Sequence, residues 1–353
     1  MIPVFDGHND LLLRLYGAPD RRSAIWQGIE GGGHLDLKRM RAGGFAGGFF
    51  AIFIPSSGPI DLNAIEAAMN APPYDLPLPE PVDAAMAQPV ALAMAGHLMA
   101  LERTGTLKIC RSTADIRDCL ARGVIAALLH MEGAEAIGTD LDALHVWHAL
   151  GLRSLGPVWS RPTAFGHGVP FRCPGSPDTG PGLTEAGKAL IRECNALKIM
   201  VDLSHLNEKG FDDVAAISDA PLVATHSNAH AVTPSTRNLT DRQLAVIRET
   251  GGMVGLNFGA AFLAPDGRQQ AFAGWDPVLR HLDHLIERLG EDHVGFGSDF
   301  DGATMPADLG DAAGLPRLLD ALAAHGYDAA LLHKLAHENW LALLDRTWAG
   351  DGA

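Results

Sequence analysis

Short apolar runs alternate along the chain with stretches whose apolar residues recur every three to four positions. The runs at residues 2–5, 45–54, 124–129, 154–158, 199–203, 222–224, 253–256 and 294–296 have strand length and predict eight strands. Between the later runs, 184–197 and 241–249 read as helices, with Thr184 and Thr240 placed to cap them. Strand–helix alternation builds parallel sheets, and eight such units predict an α/β fold of the (β/α)8 barrel (TIM barrel) type, with residues 1–353 forming a single domain. The Pro-rich stretch 55–89 falls between the second and third runs and reads as a long loop over the top of the barrel, a candidate lid.

Composition narrows the partners. Of the 353 residues 47% are hydrophobic, enough to bury a large core and to exclude disorder. The formal net charge of -15 repels nucleic-acid phosphates and anionic membranes and favours a small polar substrate. The start of the chain shows no basic segment leading into an apolar run, and the apolar stretch 90–101 is broken by Gly96 and His97 and reads as too short to span a bilayer. Cys110, Cys119, Cys173 and Cys194 form no CxxC pair, so free thiols in a reducing compartment are expected. A soluble cytoplasmic protein follows as the expectation.

Barrel enzymes place their reactive groups just past the C-terminal ends of the strands, so the polar residues after each run carry the chemistry. The first run leads into Asp6-Gly7-His8-Asn9-Asp10, where His8 and Asp10 stand two apart and face the same way in extended chain. Glu132 follows the third run, His205 the fifth, His226 the sixth, and Asp299 the eighth, in Gly297-Ser298-Asp299-Phe300-Asp301-Gly302. Three imidazoles and three carboxylates at one mouth supply nitrogen and oxygen ligands in the number that two zinc-like ions need. Each residue alone has an ordinary explanation as a hydrogen-bonded loop group. Together, Asp10, Glu132 and Asp299 turned toward one mouth require cations there. A structural zinc is disfavoured, because such sites are closed by Cys or His from local loops, whereas these ligands come from five separate strands.

These residues resemble the membrane (renal) dipeptidase family, peptidase family M19, whose amidohydrolase-like barrel carries two zinc ions. The resemblance extends from Asp6-Gly7-His8-Asn9-Asp10 to Asn339-Trp340-Leu341. It implies a zinc-dependent dipeptidase acting on dipeptides with a free C-terminal carboxylate. It further implies that His8 and Asp10 hold one zinc, His205 and His226 the other, and that Glu132 bridges them. Asp299 would contact the metal and act as general base and acid. Arg237, in Ser235-Thr236-Arg237-Asn238, would grip the substrate carboxylate, with Asn238 beside it, and the protein would be a homodimer.

One position departs from the family. Trp159 stands where a histidine that polarises the scissile carbonyl is expected, and an indole offers only one N–H donor. His167, in a Gly-flanked loop, is the candidate substitute, so Trp159 and His167 join Arg237 and Asn238 as substrate-binding candidates. The alternatives are another amide or lactone hydrolase on the same centre, and a metal-binding protein of little activity. His281 and His284 are expected on the outer ring of helices, and His333 and His337 on a terminal helix packed against the barrel.

Overall fold

The computed structural model describes residues 1–56 and 62–348. Its strands are β1 (Val4–Asn9), β2 (Phe45–Phe53), β3 (Tyr74–Asp75), β4 (Leu107–Ile109), β5 (Ile125–Glu132), β6 (Leu152–Gly156), β7 (Arg172–Cys173), β8 (Met200–Val201), β9 (Val223–Ala224), β10 (Met253–Leu256) and β11 (Val294–Phe296). Parallel pairing runs β1-β2-β5-β6-β8, with β4 also on β5, and this sheet curves into a half-barrel. A second parallel sheet has the order β11-β10-β9. Single parallel bridges, Asp202 to Val223 and Asn9 to Phe300, connect the ends of the two sheets.

All eight predicted strands are found where the apolar runs lie. β5 shows why such runs lack alternation, since all eight of its residues are buried, as in a sheet covered on both faces. One buried cluster gathers Phe5, Phe49, Ala126, Leu128, Met200, Val223 and Met253 from six strands around Trp340 of the terminal helix Asn339–Trp348. The Trp340 indole donates to the Phe296 carbonyl at 2.9 Å, and the neighbouring Asn339 amide donates to the carbonyls of Glu291 and Val294. The two predicted caps also hold. Thr184 accepts from Gly187 N–H at the start of Glu185–Ala196, and Thr240 forms a reciprocal box with Gln243 at the start of Asp241–Glu249.

Two expectations require correction. The stretch 55–89 is not one long loop, because it holds the helix Leu62–Met69, strand β3 and the first turns of the helix Ala84–Glu102; residues 57–61 lie outside the described ones. A helix running through Pro89 gives up one backbone hydrogen bond, which is why the sequence placed the boundary there. The same helix is 19 residues long, so it has the length and composition to cross a bilayer, against the expected shortfall; only 33% of its apolar window is buried. Its buried face, with Ala87, Ala91, Met94, Leu98 and Leu101, joins the main core. β3 pairs antiparallel with β7, and the Asp75–Arg172 ion pair at 2.8 Å spans that pairing.

Candidate metal centre

The six candidate ligands do converge. Glu132, the last residue of β5, points its carboxylate at three imidazoles: Oε1 lies 3.0 Å from His205 Nε2 and 3.5 Å from His226 Nε2, while Oε2 lies 3.6 Å from His8 Nε2. His8 Nε2 is also 3.3 Å from Asp10 Oδ2. Candidate ligand atoms group as His8, Glu132 and His226 on one side and as His8, Asp10 and Asp299 on the other, each set within 4.8 Å. The His205 and His226 Nε2 atoms stand 3.1 Å apart, and the His8 and His226 rings stack at 3.8 Å.

The surroundings turn these nitrogens inward. His205 Nδ1 is 3.0 Å from Ser160 Oγ, and His226 Nδ1 is 2.8 Å from Thr225 Oγ1, which leaves each Nε2 for the centre. Thr225 is held in turn by Asp202, whose buried carboxylate accepts the Thr225 hydroxyl and the backbone N–H groups of Thr225 and Ser204. Asn257, just after β10, donates to Asp299 Oδ2 at 2.9 Å. His205 and Asp299 adopt left-handed backbone with φ of 69° and 61°, a conformation non-glycine residues hold only where surrounding contacts compel it.

The charge balance fits resident cations. Burial pushes the Glu132 and Asp299 carboxyls up, with like-charged Asp10 adding to both. Burial also drives His205 and His226 well below the ordinary imidazole range and so keeps them in the neutral form that binds metal. Burial would lower His8 as well, yet Glu132 and Asp10 together outweigh it and raise its pKa to about 10. Buried carboxylates that hold a proton on His8, beside two imidazoles kept neutral, are an arrangement whose negative charge a divalent cation neutralises in that proton's place. Gly302 adds a second sign: a Cβ there would run into Asp10 Oδ2 and Asp299 Oδ1, so the absent side chain leaves a cradle where the two carboxylates meet.

The four substrate candidates fall in different places. Arg237 is 3% exposed; it donates to the His226 carbonyl at 3.1 Å, lies over the Phe262 ring at 5.4 Å, and keeps a buried Nε without a partner. It is therefore not a surface arginine. Trp159 packs 5.8 Å from the His205 ring and against Phe53 and Phe171, forming an aromatic wall beside the centre. The Asn238 amide donates to the carbonyls of Thr233 and Phe262 and so braces the loop that carries Arg237. His167 lines a cavity of about 470 Å³ with Asp75, Pro170, Arg172 and Thr179, a cavity whose walls include none of the six ligand candidates. Its Nδ1 lies 3.4 Å from the Gly182 carbonyl.

Sequence reasoning missed Asn257, Asp202 and the fully buried Arg161–Glu135 pair at 2.6 Å, whose guanidinium lies beside Trp159 and Phe53. Asn257 was open to the same rule that found the ligands, since it is the first polar residue after the run 253–256.

The model of the family described as Membrane dipeptidase (Peptidase family M19) matches residues 1–348. The chain is 69% identical to a metallopeptidase from Rhodobacter sphaeroides whose crystal structure holds a phosphinate mimic of the dipeptide L-Ala-D-Ala; the TM-score is 0.97, covering 98% of this chain and 99% of that one. It is 68% identical to dipeptidase AC, a metallopeptidase of family M19, with a TM-score of 0.96 and the same coverage. An uncharacterized protein from the pqqA 5' region of Klebsiella pneumoniae is 50% identical over 269 residues, 76% of this chain and 98% of that protein. The chain belongs to the membrane dipeptidase family, peptidase family M19, and is a metallo-dipeptidase.

Proposed function

We propose that the enzyme hydrolyses small dipeptides, including ones with a D-residue at the C-terminus, on a pair of zinc ions. The observation that carries this reading is the meeting of three imidazole Nε2 atoms and three carboxylates around Glu132, with a buried arginine alongside. His8 and Asp10 would hold one ion and His205 and His226 the other, with Glu132 serving both. Bound there, the ions polarise the scissile carbonyl and make water a stronger nucleophile. Asp299, oriented by Asn257, takes the proton from the attacking water and returns it to the leaving amine. Arg237 pairs with the free carboxylate of the substrate, an assignment supported by its burial and its unpartnered Nε. Trp159 with Phe53 and Phe171 excludes water on the facing side. The acceptance of a C-terminal D-residue is carried over from the ligand of the 69% identical relative. With Trp159 in place of the family histidine and His167 lining a separate cavity, carbonyl polarisation would be left to the ions.

The same proposal includes one closed (β/α)8 barrel in a single domain, for which the two bridges between the sheets and the shared inner cluster speak. The segment tied down by β3 is its lid. The protein works as a cytoplasmic homodimer, and the helix Ala84–Glu102 stays on the protein through its core-facing side.

The test compares a dipeptide with the matching dipeptide amide. Arg237→Met is expected to lower kcat/KM for the dipeptide by about 2 to 5 kcal/mol of lost charged pairing and to leave the slow amide reaction nearly unchanged. Equal losses on both substrates would mean that Arg237 supports the loop rather than reads the carboxylate.

A further inference from the structure

Among the described residues, one cluster of side chains able to bind a metal stands outside the mouth. Its residues are His333, His337 and Glu338, and the donor atoms of all three lie within 4.8 Å of one another. The local backbone explains the grouping. Lys334–Glu338 is wound as a π-helix between the α-helices Ala329–His333 and Asn339–Trp348. Hydrogen bonds from i to i+5 widen the turn, which brings both the fourth and the fifth following residue onto the face of the first, so Glu338 joins His337 beside His333. In an α-helix of 3.6 residues per turn, Glu338 would be rotated about 140° away from His333. The unusual winding is thus what adds a carboxylate to the histidine pair.

The side chains have the access a ligand set needs. Glu338 is exposed, and both histidines are half-buried with their rings 5.7 Å apart. The His337 ring sits against the Pro3 backbone, which accepts from it, and its buried Nδ1 completes no other hydrogen bond. Lys334, the cation within the same turn, is engaged elsewhere, at 3.3 Å from Glu291 and 2.9 Å from Asp292. Nothing in the hydrolytic reaction uses these three residues.

We propose that His333, His337 and Glu338 form a peripheral site for a divalent transition cation, separate from the catalytic mouth. Two imidazoles and one carboxylate on a single helical face suit zinc, nickel or copper(II) rather than calcium or magnesium, which take oxygen ligands. The three protein ligands leave coordination positions to water. Occupancy braces the turn directly before Asn339 and Trp340, which clasp β11 from below, so the ion acts on stability and not on turnover.

The experiment is zinc stoichiometry by elemental analysis after equilibrium dialysis of the whole enzyme against micromolar free Zn2+, with thermal unfolding followed in parallel. The wild type is expected to hold one equivalent more than the His333→Ala/His337→Ala double variant, with dipeptidase activity equal in the two. Added Zn2+ is expected to raise the unfolding midpoint of the wild type by roughly 3 °C and to leave that of the double variant unmoved. Glu338→Gln, at an exposed position where folding is not at risk, is expected to weaken uptake of the extra equivalent at least tenfold. Because the readout is a difference of one equivalent, it stands whatever number of ions the mouth holds. Equal zinc content in wild type and double variant overturns the proposal, as does an extra equivalent that disappears in Glu132→Gln but persists in the double variant.

Discussion

Asp299 carries the heaviest chemical demand of any residue in this account, and its position is imposed by its neighbours. Its φ of 61° is unfavourable for a residue with a Cβ, and Asn257 fixes the direction of its carboxylate. Asp299→Asn is expected to keep the fold and to cut kcat by at least about a hundredfold, the lower end for loss of a proton-transfer group. A change below about tenfold would remove it as the base. Asn257→Ala leaves the carboxylate in place but free to turn, so kcat is expected to fall roughly 10- to 100-fold with a much smaller change in KM. Steady-state kinetics on one dipeptide decides both. The six ligand candidates were legible in the sequence because each stands a few residues past the end of an apolar run. Asn257 obeys the same rule, yet its role was hidden because an amide is a poor zinc ligand and its target lies 42 residues away. The positions of His167 and Asn238 were equally hidden, since loop geometry alone decides which way such side chains turn.

At the level of elements, periodicity located the eight strands and capping chemistry located two helices, while the short strands β3, β4 and β7 escaped. β3 and β7 contribute two residues each, too few for any alternation to register. The helix Ala84–Glu102 escaped because Pro89 breaks the local rule and the helix is apolar on several sides. His281 illustrates a burial that sequence could not reveal. On the helix Asp276–Leu289 it is fully buried, its Nδ1 accepting from Ala229 N–H and its Nε2 shared with Thr233 Oγ1 and the Leu263 carbonyl. Burial lowers its pKa to about 3. The unfolded chain therefore takes up a proton near pH 6.5 that the folded one refuses, and stability falls as pH drops from about 6.5 toward 3, by up to about 1.4 kcal/mol per unit. His281→Asn keeps the acceptor for Ala229 and is expected to flatten that slope in urea unfolding midpoints measured from pH 7 to pH 4. An unchanged slope would mean that other groups set the acid sensitivity. Gly7 is a second local test, since a Cβ there would meet the Thr225 carbonyl and the Trp340 ring. Gly7→Ala is expected to cost about 3 kcal/mol, the upper part of the usual overpacking range, as read by the urea midpoint.

Across the whole molecule, the candidate ligands come from β1 and the residue after it, from β5 and from the segments after β8, β9 and β11, so they meet only when both parallel sheets are assembled. Trp340 from the terminal helix packs into the same inner cluster and ties the end of the chain to β11. This dependence on assembly explains why single residues were ambiguous in the sequence while their joint pattern was not. The central claim is that this assembled mouth is a metal-dependent dipeptidase site. The most direct measurement is the rate of L-Ala-D-Ala hydrolysis by the purified enzyme as isolated, after exhaustive chelation, and after zinc is restored. Turnover that disappears on chelation and returns with zinc, but does not return in Glu132→Gln, is the predicted result. Hydrolysis that persists undiminished in the chelated protein, or zinc-loaded protein that leaves a panel of dipeptides intact, would contradict it.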